Sequence, residues 1–168
     1  MADPIMPILQ ERLADPAIDT NLREVASALL VELRTDPRQP KSVCRTVPLG
    51  SYQGLPNEIH SSWVFALRGA TFYPPERHPN SIQRMFALGA TGWFDTWEDG
   101  AWVTHELAPG DLGLSIPVNV WHRLTEQPDD WAVVSFHTAA ESELVEIVGN
   151  PETGEISSTG TYLAGDAP

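Results

Sequence analysis

The chain has 168 residues, enough for one domain with a real core, and carries 10 Lys and Arg against 23 Asp and Glu, a formal charge of −13. No window clusters the Lys and Arg that phosphates require, so nucleic acid and anionic membrane surfaces are excluded as partners. Twelve Gly and 15 Pro make about one residue in six, above the average, and point to short elements joined by turns. The single Cys44 excludes an intrachain disulfide framework and a Cys-based zinc site. The N-terminus lacks the basic and apolar regions of a secretory signal, and no run approaches the roughly 20 apolar residues of a membrane span, so the expected location is cytoplasmic.

In chain order, residues 1–42 read as a helical segment. A short helix from about Pro7 to Leu13 is expected, broken by Pro16. A second helix is expected with Asp19, Thr20 or Asn21 as its cap and Leu22, Val25, Ala26, Leu29 and Leu33 at helical spacing, ended by Pro37 and Pro40. These helices would cover a sheet face or form a dimer contact.

Residues 43–138 change period. Eight short runs read as strands: 63–67, 71–73, 84–88, 92–95, 101–104, 112–116, 121–124 and 131–136. Between them stand turn signals such as Pro74-Pro75, Asp99-Gly100 and Pro109-Gly110-Asp111. Strands with no helices between them cannot build a parallel sheet, so an antiparallel sandwich or barrel follows. Residues 139–168 read as a hairpin, with strands over 144–148 and 155–157, and a mobile tail beyond Ser158.

All five histidines, at positions 60, 78, 105, 122 and 137, fall in the β-rich part. Glu76 and His78 are two residues apart, which on a strand puts both on one face, roughly 6–7 Å apart and within reach of one ion. If the strand of His122 lies alongside, the set becomes two imidazoles and a carboxylate, which leaves open positions on Fe(II) and also suits Zn or Mn. The competing reading is a metal-free pocket in which Glu76 and His78 hydrogen-bond. Arg45 and Arg68 are candidates to clamp a substrate carboxylate. Tyr73, with Phe72, would line the pocket mouth, and Trp121 is a candidate contact because it neighbours His122. His60 and His105 read as surface or edge residues, and most of the six tryptophans as core or dimer contact.

The run Pro74-Pro75-Glu76-Arg77-His78-Pro79-Asn80, with Gln83 and Gly89 following, resembles the first cupin motif, and Pro117-x-Asn119-x-x-His122 the second. The resemblance covers roughly residues 60–138. It implies a mainly β fold, a cupin-type antiparallel double-stranded β-barrel (jelly roll) preceded here by N-terminal helices. By position, Glu76, His78, Gln83 and His122 occupy the four ligand places, with Glu76 in place of a His and Gln83 in place of a Glu. Ser135-x-His137 resembles a pair in the thiol dioxygenase branch, where Ser135 would fix the imidazole of His137 and the other nitrogen would face substrate or a bound water; the Tyr that follows in that branch is Ala139 here, and the competing reading of His137 is a satisfied core histidine. The resemblance implies a metal-dependent dioxygenase-type enzyme with one divalent transition metal, Fe(II) first and Zn, Mn or Ni as alternatives. The substrate would be a small polar metabolite, with thiol or carboxylate groups as candidates. A lyase or isomerase, or a non-catalytic binding module, are the other readings, and a homodimer is implied.

Overall fold

Pro16 separates two helices as expected, and it is also the first residue of the second, because a proline at a helix start needs no backbone donor. The computed structural model describes residues 3–162. Helix α1 spans Met6–Leu13 and α2 spans Pro16–Thr35. The α2 cap is Asp15, whose side chain accepts from the N–H groups of Ala17 and Ile18, so Asp19, Thr20 and Asn21 lie inside the helix. The helix ends at Thr35, before Pro37.

Eleven strands follow among the described residues. They are β1 Ser42–Thr46, β2 Ser61–Leu67, β3 Glu76–Arg77, β4 Gln83–Leu88, β5 Gly92–Glu98 and β6 Ala101–Leu107. The rest are β7 Leu114–Ile116, β8 His122–Leu124, β9 Trp131–His137, β10 Val145–Asn150 and β11 Glu155–Thr161. They form two antiparallel sheets, one in the order β1-β2-β9-β4-β7 and the other β11-β10-β3-β8-β5-β6. This is the expected mainly β double sheet with two leading helices.

The first sheet is covered on both sides. Leu22, Ala26, Leu29 and Leu33 of α2 pack with Val64, Ala66, Phe86, Val134 and Phe136, so the helices cover a sheet face. The alternate residues Trp63, Phe65, Leu67, Met85 and Val133 point inward, where they meet Phe94, Leu107 and Leu124 of the other sheet. Burial on both faces explains why β2, β4 and β9 read as continuous apolar runs.

Two expectations fail. Thr71-Phe72-Tyr73 is not a strand: Ala70 turns the chain with φ 48°, Pro74 and Pro75 offer no donors, and Phe72 is 66% exposed. Residues 159–162 are not a loose tail, because β11 pairs with β10 as far as Thr161 and Tyr162 packs against Trp63 and Phe65. Residues 163–168 of that expected tail lie outside the described residues. Among the described residues, no helix is long and apolar enough to cross a membrane.

Candidate metal centre

Strand pairing brings the two motifs together. β3 pairs with β8 so that Glu76 stands opposite His122, and on its other side β10 places Val148 opposite Glu76. His78 follows β3 directly. The turn before β8 is tied to it, since Asn119, in the left-handed conformation at φ 63°, donates its N–H to the His78 carbonyl at 2.9 Å.

One ligand atom each from Glu76, His78 and His122 lie within 4.8 Å of one another. Both imidazoles are buried, and each directs Nδ1 at a backbone carbonyl: His78 at Val145, 3.0 Å, and His122 at Val120, 2.9 Å. A carbonyl only accepts, so Nδ1 carries the proton and Nε2 presents a lone pair. Neither buried Nε2 has a hydrogen-bond partner, and that of His122 faces the Glu76 carboxylate at 3.5 Å. Two imidazole lone pairs beside a carboxylate, with no donor to either nitrogen, are a poor arrangement by themselves and a suitable one around a cation. The residues therefore fit a divalent metal, with two nitrogens and one oxygen as donors.

The electrostatics agree. Burial and the neighbouring His122 push the His78 imidazole down to about 4, with Glu76 opposing, so it is neutral at pH 7. Burial alone would raise the Glu76 carboxyl, but the facing His122 and His78 imidazoles and the contact with Glu146 bring it below its ordinary value. Glu146, on β10, hydrogen-bonds to Glu76; burial and the adjacent carboxylate push it up to about 9.

Gln83 also reaches this end of the barrel: it is buried, lines the cavity, and its Oε1 has no hydrogen-bond partner. His137 is fully enclosed, its ring 5.4 Å from that of His78 and its Nε2 2.8 Å from Ser135 Oγ. The Ser135 contact is thus the anticipated one. The second nitrogen faces Ser81 Oγ at 3.4 Å and His137 does not line the cavity, which fits the reading of a satisfied core histidine and not the one that put this nitrogen against substrate.

A cavity of about 580 Å³ runs between the sheets from this centre. Its walls are mostly apolar, from Phe65, Leu67, Met85, Phe94, Leu124 and Val133, with Tyr73 at the edge as expected. Three anticipated contacts point elsewhere. Arg45 faces Glu32 of α2 at 3.5 Å, Arg68 donates to the carbonyls of Pro40 and Leu33, and Trp121 lies under the Arg77 guanidinium, 4.8 Å from its ring centre. None of the three lines the cavity. His60 is exposed and His105 sits on the edge strand β6, bonded to Thr96, as expected. Glu146, Cys44 and Tyr162 do line it and were not anticipated. For Glu146 the only signal was its place in the 144–148 run, which does not say that this strand pairs with β3.

No protein-family model matches the chain, and no curated protein matches it in sequence. Solved structures do. The salicylate 1,2-dioxygenase of Pseudaminobacter salicylatoxidans aligns with TM-score 0.50 and 14% identity over 71% of this chain and 33% of its own. Procruciferin, the 11S globulin of Brassica napus, aligns with TM-score 0.51 and 16% identity over 67% of this chain and 29% of its own. The coconut allergen cocosin gives TM-score 0.51 and 20% identity over 68% and 31%. This chain thus spans about a third or less of each, and the likeness is one of fold. The double sheet, with both motifs meeting at one end of its interior, is a cupin fold.

Proposed function

We propose that this chain is a metal-dependent cupin enzyme of the dioxygenase type, in which Glu76, His78 and His122 hold one divalent transition metal, Fe(II) by preference. The observation that carries the reading is the pair of buried, unpartnered Nε2 atoms converging on the Glu76 carboxylate. A bound Fe(II) would supply open coordination positions and redox chemistry with O₂. The chain's own residues do the rest. The carbonyls of Val145 and Val120 hold the two imidazoles in one tautomer and orientation. Gln83 stands beside the centre as a supporting group, and the Ser135–His137–Ser81 chain braces the wall behind His78. The apolar walls exclude water and favour a substrate with an apolar body.

Protein loaded anaerobically with Fe(II) and desalted should retain about one metal per chain by elemental analysis, and Glu76→Ala and His122→Ala should each retain less than about a tenth of that. Retention below about a tenth in the wild type overturns the metal reading. Oxygen uptake with a panel of small metabolites tests the chemistry. Product formed without uptake identifies a lyase or isomerase, and stoichiometric binding without turnover a binding module.

A further inference from the structure

The geometry points to a neutral alcohol as the ligand of the cavity, its hydroxyl donating to the Gln83 amide and its apolar body lying along the walls beyond. This rests on the reading of the cavity as a substrate site. Gln83 opens β4, alternates with the inward-facing Met85, and borders the cavity with only 7% of its surface exposed. Its Oε1 is buried without a donor, and among the described residues its Nε2 makes no hydrogen bond either. Buried amides ordinarily have partners, and this one lacks a donor that the protein does not supply. It stands next to the metal centre: β4 and β9 set Gln83 opposite His137, whose ring is 5.4 Å from that of His78.

An ether or a carboxylate brings only acceptors and would leave Oε1 bare, whereas a hydroxyl donates. Two cations border the cavity, and neither is placed to set a carboxylate at Gln83. Arg123 binds Asp95 at 3.0 Å, with its guanidinium 4.1 Å from the Trp102 ring centre. Lys41 precedes Ser42, which pairs with Leu67, whereas Gln83 is aligned through His137 with Ser61. Those two ends of β2 are about 20 Å apart at roughly 3.3 Å per residue. Between them Phe65, Met85, Phe94 and Val133 form walls matched to an alkyl or aryl body.

Hexanol and methyl pentyl ether are isomers of which only the first has a donor, and hexanoate replaces that donor with charge. Calorimetric titration of the full-length protein, as purified and after anaerobic Fe(II) loading, compares the three. Hexanol should bind at least about fivefold more tightly than the ether in both states, and in Gln83→Leu the two should come within about twofold of each other. Gln83→Met, unbranched like glutamine, should read the same and is the second variant should the first fail to fold. Both variants should keep at least about half of the wild-type Fe(II), because Glu76, His78 and His122 hold it. Equal binding of the isomers, no measurable binding of hexanol, tighter binding of hexanoate, or an unchanged preference in either folded variant overturns the inference. Loss of Fe(II) from both variants would make Gln83 a ligand and overturns it as well. A Gln83-dependent preference for hexanol in protein that retains no metal would leave the inference standing and remove the metal reading. Metal retention with equal binding of the isomers would do the reverse.

Discussion

A side chain on a strand belongs to one face, and its immediate neighbours belong to the other. That rule made Glu76 and His78 readable as a pair, since a separation of two keeps them together. It also explains the misplaced contacts. Trp121 is next to His122 in sequence and therefore projects away from it, and Arg45 is next to the cavity-lining Cys44 and therefore meets Glu32 of α2. Proximity in sequence to a site residue is, on a strand, an argument against sharing its site. Arg45→Ala should accordingly leave Fe(II) retention within about twofold of wild type, and cost at most about 0.5 kcal/mol of stability, because its ion pair is half exposed. Metal analysis and a urea titration check this; a loss of retention above about fivefold would restore Arg45 to the site.

At the scale of elements, local signals located most strands, the three-residue β7 and β8 among them, and gave no run for β1 or the two-residue β3. The identity of β3 as a strand comes from its pairing with β8 and β10, which no local propensity records. Thr71–Tyr73 shows the converse: β-prone residues without a partner strand stay irregular. Pro16 was ambiguous because proline both breaks helices and starts them, and the Asp15 side chain decided the matter. The entry to β7 depends on Gly113, which has φ 74° and lies so close to β4 that a Cβ would sit 2.2 Å from the Met85 carbonyl oxygen. Gly113→Ala should therefore cost roughly 3 kcal/mol, the sum of a left-handed penalty and a steric one, read as a lower urea midpoint with unchanged slope. Gly50→Ala, with open space around its Cβ, is the control and should change stability little.

Across the whole molecule, the N-terminus is fastened to the first sheet by charge. Asp3 accepts from Arg84 Nε at 2.7 Å and Ser115 Oγ at 2.5 Å, joining the approach to α1 with β4 and β7, while Arg84 also holds Glu58 at 2.6 Å. Burial alone would raise the Asp3 carboxyl, but the bonds from Arg84, Ser115 and the Ile5 N–H bring it below its ordinary 3.8. A depressed folded-state value stabilises the fold above the unfolded value and is lost as pH falls through the folded one. Asp3→Asn should thus be less stable than wild type at pH 7, by about 1–2 kcal/mol, and the gap should close as pH falls below about 4. Thermal melts of both proteins from pH 7 to pH 3 test this, and a gap that stays constant with pH would show that the carboxylate charge is not what holds the segment. By itself the sequence determined the antiparallel β class, the leading helices and the pairing of Glu76 with His78 as candidate ligands, because hydrophobic period, turn residues and two-residue spacing are local properties; that His122 stands opposite Glu76 came from strand pairing. Only the tertiary structure decided that β10 lies beside β3, bringing Glu146 to Glu76, that β11 carries Tyr162 into the cavity, and that Arg45 and Arg68 turn away from it. Those features depend on strand order and on which face each strand presents, and pairing between residues 70 positions apart leaves no mark on either segment alone.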